Sequence, residues 1–218
     1  MGIKAIIFDM DGLLIDSMLH WIELDKEFFA TQNKEFDPEY VRKLTGHSQQ
    51  ECMTIVKEYF DLSDKEVREL FLKKKKYVND IYTVKTDIMP GVQCLVDKIK
   101  VSSFKQAIAS GSPLHDITKV VNRFKWRDHF DELISADHVG EVGKPDPAIY
   151  VHTAECLQVD PKDCVVFEDA ENGVKAAKDA GMSCIAVPDE RWSFGNFDKA
   201  DLIVDSLQNK KVFDYLKL

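Results

Sequence analysis

The sequence predicts an α/β protein, a doubly wound parallel sheet of the Rossmann-like kind with an all-helical cap inserted after its first strand. Three observations carry that expectation. Six short apolar runs lack polar alternation, helical patterns separate them in the second half of the chain, and a long helix-only stretch divides the first run from the other five. A strand with one wet face alternates polar and apolar residues, whereas an unbroken apolar run needs cover on both faces.

The runs are Ala5 to Phe8, Gln106 to Ala109, Leu133 to Ile134, Cys164 to Phe167, Cys184 to Val187 and Leu202 to Val204. From Asp87 onward, helical stretches between them give a βαβ rhythm. Between Ser17 and Lys85 the pattern is helical only. There, Asp37-Pro38 reads as an N-cap followed by proline at the first helical position, with Gly46 as the stop. Ser63 with Glu66 three residues later forms a capping box, opening the helix that runs through Lys73 to Lys76. The expected division is a catalytic core of residues 1–16 and 87–218 and a helical cap of residues 17–86. A chain of 218 residues is long enough for such a core with a smaller companion.

Composition narrows the function. With 44% hydrophobic and 31% charged residues, the chain has the profile of a folded soluble protein. A net charge of −9 argues against a nucleic-acid or anionic-membrane partner, because both would repel it on average. The lysine run 73–76 reads as a solvated helix face. Five widely spaced cysteines without a C-x-x-C pair suggest neither zinc nor a disulfide framework and fit a reducing cytoplasm. No run approaches the roughly 20 apolar residues that span a bilayer. Monomer and weak homodimer stay equally open.

Four segments carry candidate chemistry. In Asp9-Met10-Asp11-Gly12, two carboxylates follow the first strand, where open α/β sheets bind ligands. Asp9 could attack phosphorus while Asp11 protonates the departing alcohol and later activates water. The plain alternative is a surface turn. A calcium loop would need a glutamate at its twelfth position, which is His20. In Ser110-Gly111-Ser112-Pro113 a strand runs into a helix start whose free N–H groups suit phosphate oxygens, with Ser112 as N-cap and Pro113 at the first helical position; a purely structural turn is the alternative. Lys144 in Gly143-Lys144-Pro145-Asp146-Pro147 sits on a stiffened loop that suits a charge needed at one point, or is simply an exposed loop lysine, with Asp146-Pro147 opening the next helix. Glu168-Asp169 ends a buried strand and suits Mg²⁺, or else Asp169 caps the following helix.

Jointly the segments say more, because all four fall on the one sheet edge that holds the ligand crevice. The carboxylates of Asp9, Glu168 and Asp169 would be balanced by one Mg²⁺ and Lys144, leaving a site that accepts a phosphate dianion.

In this order the four segments resemble the haloacid dehalogenase superfamily, over essentially the whole chain, and the helical insertion resembles the small cap of its phosphoglucomutase-like and sugar-phosphatase branch. The resemblance implies Mg²⁺-dependent hydrolysis of a small phosphomonoester, either a sugar phosphate or a nucleotide-like monophosphate. It implies Asp9 as nucleophile and metal ligand, and Asp11 as acid/base and metal ligand through its backbone carbonyl. Ser110, Gly111 and Lys144 would bind phosphate, and Glu168 and Asp169 would surround the metal. The mutases of the branch use a cap-loop arginine, but Leu44 to Met53 contains no Arg or Lys, which favours hydrolysis over a phosphosugar mutase. A response-regulator-like signalling module is the alternative from another class; it would lack an acid/base like Asp11. Trp21, His47, Ser48 and Gln49 are the cap residues expected nearest the substrate, although Trp21 also falls on an apolar stripe with Met18, Leu24 and Phe28.

Overall fold

The computed structural model describes residues 2–218. Its centre is a six-stranded, all-parallel sheet in the order β3-β2-β1-β4-β5-β6. The strands are β1 (Ala5–Phe8), β2 (Lys105–Ser110), β3 (Glu132–Ser135), β4 (Cys164–Glu168), β5 (Ser183–Ala186) and β6 (Leu202–Ile203). Each coincides with one of the apolar runs to within one or two residues.

The missing polar alternation has the expected cause. In β1, Ile6 and Phe8 turn to one face and pack with Ile108, Ile117, Val120 and Trp126, while Ala5 and Ile7 turn to the other against Ala107, Tyr150 and Ala177. Helices α5 (Val92–Lys100), α6 (Leu114–Arg123) and α9 (Lys210–Leu216) cover the first face, and α7 (Ala148–Leu157) and α8 (Glu171–Asp179) the second. Phe8 and Phe167 stack across neighbouring strands with centroids 5.1 Å apart. The βαβ rhythm breaks once: β5 and β6 are joined by an irregular loop, not a helix.

Between β1 and α5 come four helices, α1 (Ser17–Thr31), α2 (Pro38–Leu44), α3 (Gln49–Phe60) and α4 (Asp64–Asp80), and a π turn at Ile81–Lys85. Local chemistry sets their ends. Asp37 accepts from Glu39 N with Pro38 in the first turn, and Ser63 and Glu66 form the reciprocal capping box. The second helix ends at Leu44, and Gly46 follows with φ +88°. A compact aromatic cluster of Phe28, Phe29, Tyr40 and Phe60 joins α1, α2 and α3, and Leu70 and Phe71 of α4 pack against it.

The lysine run is not uniform. Lys73, Lys75 and Lys76 are exposed, but Lys74 turns inward and pairs with Asp25 at 2.7 Å.

Candidate active site

The sheet order places a reversal of winding beside β1, and ligands bind there beyond the carboxyl ends of the strands. Phe8 pairs with Ile108 on one side and Phe167 on the other. That register brings Asp9, Ser110 and Glu168-Asp169 to one rim from segments more than 90 residues apart in sequence order for the first two.

Lys144 ties the rim together. Although lysine is seldom fully buried, it is 1% exposed, because Nζ donates to Asp9 Oδ1 (2.6 Å), Glu168 Oε1 (2.5 Å) and the Ala109 carbonyl (3.2 Å). Burial alone would lower its pKa, but Asp9 and Glu168 outweigh that and hold it above its ordinary range. Tyr150 donates a short hydrogen bond to the same Glu168 oxygen. Lys144 is therefore a fixed charge, not a loop lysine in water.

Asp9 lines the cavity and keeps Oδ2 without a protein hydrogen bond among the described residues. Its pKa is pushed up to about 7, first by burial and then by Glu168, against the pull of Lys144. Asp169 is raised well above the carboxylate range by burial first and then by the charges of Asp9 and Glu168. One oxygen from each of Asp9, Glu168 and Asp169 lies within 4.8 Å of the others. Asp169 Oδ1 is buried without a partner, while its Oδ2 accepts from Trp192 Nε1 at 2.9 Å. An orphaned carboxylate oxygen beside two further acids is expensive without a cation and fits a hard divalent ion. Gly12 belongs to the same arrangement: its φ is +89°, and a Cβ there would lie 2.3 Å from Asp169 Oδ2.

Asp11 has a different environment. Oδ1 accepts from Ser17 Oγ (2.6 Å) and Tyr82 Oη (3.0 Å), and Oδ2 accepts from Ser112 Oγ (2.8 Å). Burial raises its pKa, and the hydroxyl donors pull the other way. Ser112 is thus committed to Asp11 rather than capping α6. The helix starts one residue later than expected, with Pro113 at the cap and Leu114 N donating to Asp137 Oδ2 at 3.0 Å. The same shift occurs at α7, where Pro147 is the cap and Asp146 Oδ1 accepts from Ala148 N at 2.8 Å. Asp169 does not cap α8; Ala170 holds that position.

Ser110 is buried at the end of β2 and accepts from Ser112 N at 3.1 Å, leaving its hydroxyl proton free to donate. Gly111 lies beneath the loop after α2: a Cβ there would meet the His47 carbonyl at 2.6 Å. That loop is fastened to the core by Lys144 N to the Gly46 carbonyl (2.9 Å) and Asn172 Nδ2 to the Thr45 carbonyl (3.0 Å).

A cavity of about 610 Å³ joins the rim to the inserted helices. Trp21, His47 and Gln49 line it, as do Asp9, Asp11, Ser110, Gly111, Lys144, Glu168 and Asp169. Ser48 does not. It is 1% exposed and caps α3 in a reciprocal box with Glu51. Trp21 has both of its expected roles, lining the cavity while packing edge-on against Tyr82 at 6.2 Å. Tyr82, Tyr150 and Trp192 are the contacts sequence reasoning missed. None lies in a recognisable motif, and each is brought to the acids by tertiary structure alone.

A crevice at the sheet's switch point with a lysine-bridged carboxylate cluster suits a phosphoryl-transfer hydrolase, and the comparisons agree with that class. Residues 6–187 match the family model for haloacid dehalogenase-like hydrolase, and the chain belongs to that family. It is 32% identical over 216 residues to (DL)-glycerol-3-phosphatase 2 of Arabidopsis thaliana, covering 96% of this chain and 90% of that one. It is 33% identical to hexitol phosphatase B of Escherichia coli K12, covering 98% and 97%. The solved beta-phosphoglucomutase of Clostridium difficile superposes with a TM-score of 0.81 at 26% identity, covering 99% and 97%.

Proposed function

We propose that the chain is a Mg²⁺-dependent phosphatase that hydrolyses a small phosphorylated metabolite through an aspartyl-phosphate on Asp9. The observation that carries this is the contrast between the two aspartates. Asp9 presents one free oxygen beside Lys144, as an in-line nucleophile needs, whereas Asp11 is held by three hydroxyls and pairs with no cation among the described residues, which suits proton exchange with the leaving oxygen. Family membership and the named phosphatases among the relatives support the same reaction.

Asp9 Oδ2 attacks phosphorus and Asp11 gives its proton to the departing alkoxide. Asp11 then takes a proton from a water whose oxygen bonds to the same phosphorus, and the bond between phosphorus and Asp9 Oδ2 breaks, releasing phosphate and restoring the Asp9 carboxylate. Lys144, the Ser110 hydroxyl and backbone N–H groups at Gly111 balance the phosphoryl oxygens. Asp9, Asp169 and the remaining oxygen of Glu168, with the Asp11 carbonyl, would hold Mg²⁺, which supplies further charge stabilisation when bound. Residues 17–86 act as a cap that completes the cavity over the core formed by 1–16 and 87–218. A cytoplasmic location goes with this reading: all five cysteines are free, and no helix among the described residues is long and apolar enough to cross a membrane.

The test is phosphate release from p-nitrophenyl phosphate and a panel of metabolite monoesters with and without Mg²⁺. Metal-dependent release, abolished in Asp9→Asn, is expected. Rearranged sugar phosphate without free phosphate would assign a mutase instead, and a long-lived phosphoprotein without turnover a signalling module.

A further inference from the structure

The cavity does not end at the rim. It continues into the insertion among its four helices, where Trp21, Ile22, Leu44, Met53, Val56 and Phe71 form much of its wall. That apolar stretch offers no hydrogen-bond partners to a polyol, whose buried hydroxyls would be left unbonded at a cost. It suits a flat, largely apolar ring.

The exposed Gln49, Arg68, Lys75 and Asn79 and the half-buried His47 also line the cavity, but deeper in the wall the charged groups are one ion pair. Asp25 Oδ1 and Lys74 Nζ are 2.7 Å apart, with side chains only 10% and 13% exposed, and both residues line the cavity. An ion pair taken out of water adds little net stability, since apolar replacements of equal volume often serve as well or better. This pair also keeps unused capacity. Lys74 Nζ has further N–H donors with no carboxylate beyond Asp25 among the described residues, and Asp25 Oδ2 accepts no hydrogen bond there. The wall therefore presents one acceptor directly beside one donor. Their complement is a ring edge with an N–H next to a carbonyl or ring nitrogen, as nucleobases and flavins have.

The span agrees. Ser17, which touches Asp11 at 2.6 Å, and Asp25 stand on one face of α1 just over two turns apart, about 12 Å at a rise of 1.5 Å per residue. A three-carbon polyol reaches roughly 5 Å from its ester oxygen, at about 1.5 Å per bond before projection, and cannot touch both ends. A ribose or ribityl spacer bearing a flat ring can.

We propose that this enzyme acts on a heterocyclic monophosphate, nucleotide-like or flavin-like, whose ring lies along the apolar wall while its donor–acceptor edge is read by Asp25 and Lys74. This inference rests on the phosphatase function proposed above and narrows its substrate class. The pair selects substrate and takes no part in bond breaking.

The test is kcat/KM with Mg²⁺ for adenosine, inosine and uridine 5′-monophosphates and flavin mononucleotide, against ribose 5-phosphate, glycerol 3-phosphate and sorbitol 6-phosphate. At least one heterocyclic ester is expected to exceed ribose 5-phosphate by 10-fold or more. Purine riboside 5′-monophosphate, which has the ring without the paired edge, should fall between them. In Asp25→Asn and Lys74→Met that advantage should collapse toward unity; because it is a ratio of two esters on one preparation, partial misfolding does not change it. Ribose, glycerol or sorbitol phosphate handled as well as every heterocyclic ester would overturn the inference, as would an advantage that survives both substitutions. Wild-type enzyme inert toward p-nitrophenyl phosphate would instead overturn the phosphatase function itself. Turnover of that ester with a preference for the compact phosphates would overturn the substrate assignment alone.

Discussion

The rim of the sheet and the wall of the insertion enclose one cavity with opposite chemistry. At the rim, Asp9, Lys144, Glu168 and Asp169 are all buried, and each is held by a hydrogen bond to a residue on a strand or a core loop. The insertion contributes many apolar side chains, one buried ion pair and, at exposed positions, Gln49, Arg68, Lys75 and Asn79. Side chains fixed by strand ends keep the geometry that bond breaking requires. Helices joined to the core by two connections can vary their lining without disturbing it. Damage to the rim should therefore reduce turnover of every ester, and damage to the wall should change which ester is preferred.

The largest effect belongs to Asp9→Asn, which should lower kcat by at least about 10⁴-fold for all esters alike; steady-state phosphate release checks this. Asp11→Asn should cost about 10²–10⁴-fold in kcat. Its kcat/KM loss should be much greater for alkyl phosphates than for p-nitrophenyl phosphate, whose leaving group needs no proton; equal losses would deny Asp11 the acid role.

Stability offers a separate break. Without metal, Asp9 has a folded-state pKa of about 7 against an ordinary 3.8, so the folded state binds more protons between those values. Stability should then fall as pH rises from about 4 to 7, by a few kcal/mol, or on the order of 10 °C in Tm. Acids held low by surface pairs, such as Glu39 and Asp64, act in the opposite sense, and only below their ordinary values. Thermal melts in chelator should show the decline, and saturating Mg²⁺ should flatten it. The smallest effect is that of Tyr82→Phe. Losing one hydroxyl donor to Asp11 should lower kcat/KM about 10-fold for alkyl esters, with p-nitrophenyl phosphate nearly spared; a uniform change in both would mark Tyr82 as packing only.

Much of the rim was legible in the sequence because its signals are local. Apolar runs mark strands buried on both faces, and the residues just after them fall on one edge by the geometry of a parallel sheet. The caps of α2 and α4 were legible for the same reason, since Asp37, Ser63 and Glu66 act within their own turns. Ser112 was misassigned where two local rules competed with a distant one: its hydroxyl suits a helix cap, but Asp11 claims it across 101 residues. Trp192 left no trace, because it stands in the irregular loop between β5 and β6. Lys74 did leave one. Val67, Phe71, Lys74 and Val78 follow the 4-3-4 spacing of an inward helix face, which sets Lys74 apart from the three lysines around it.

The most direct test of the account is rapid acid quench of wild-type enzyme turning over a substrate with radiolabelled phosphate in Mg²⁺, followed by peptide mapping. Label should appear on protein within the first turnover, on the peptide containing Asp9, and should disappear as phosphate is released. Steady turnover with no protein-bound label at any quench time would show that water attacks phosphorus directly, contradicting the account.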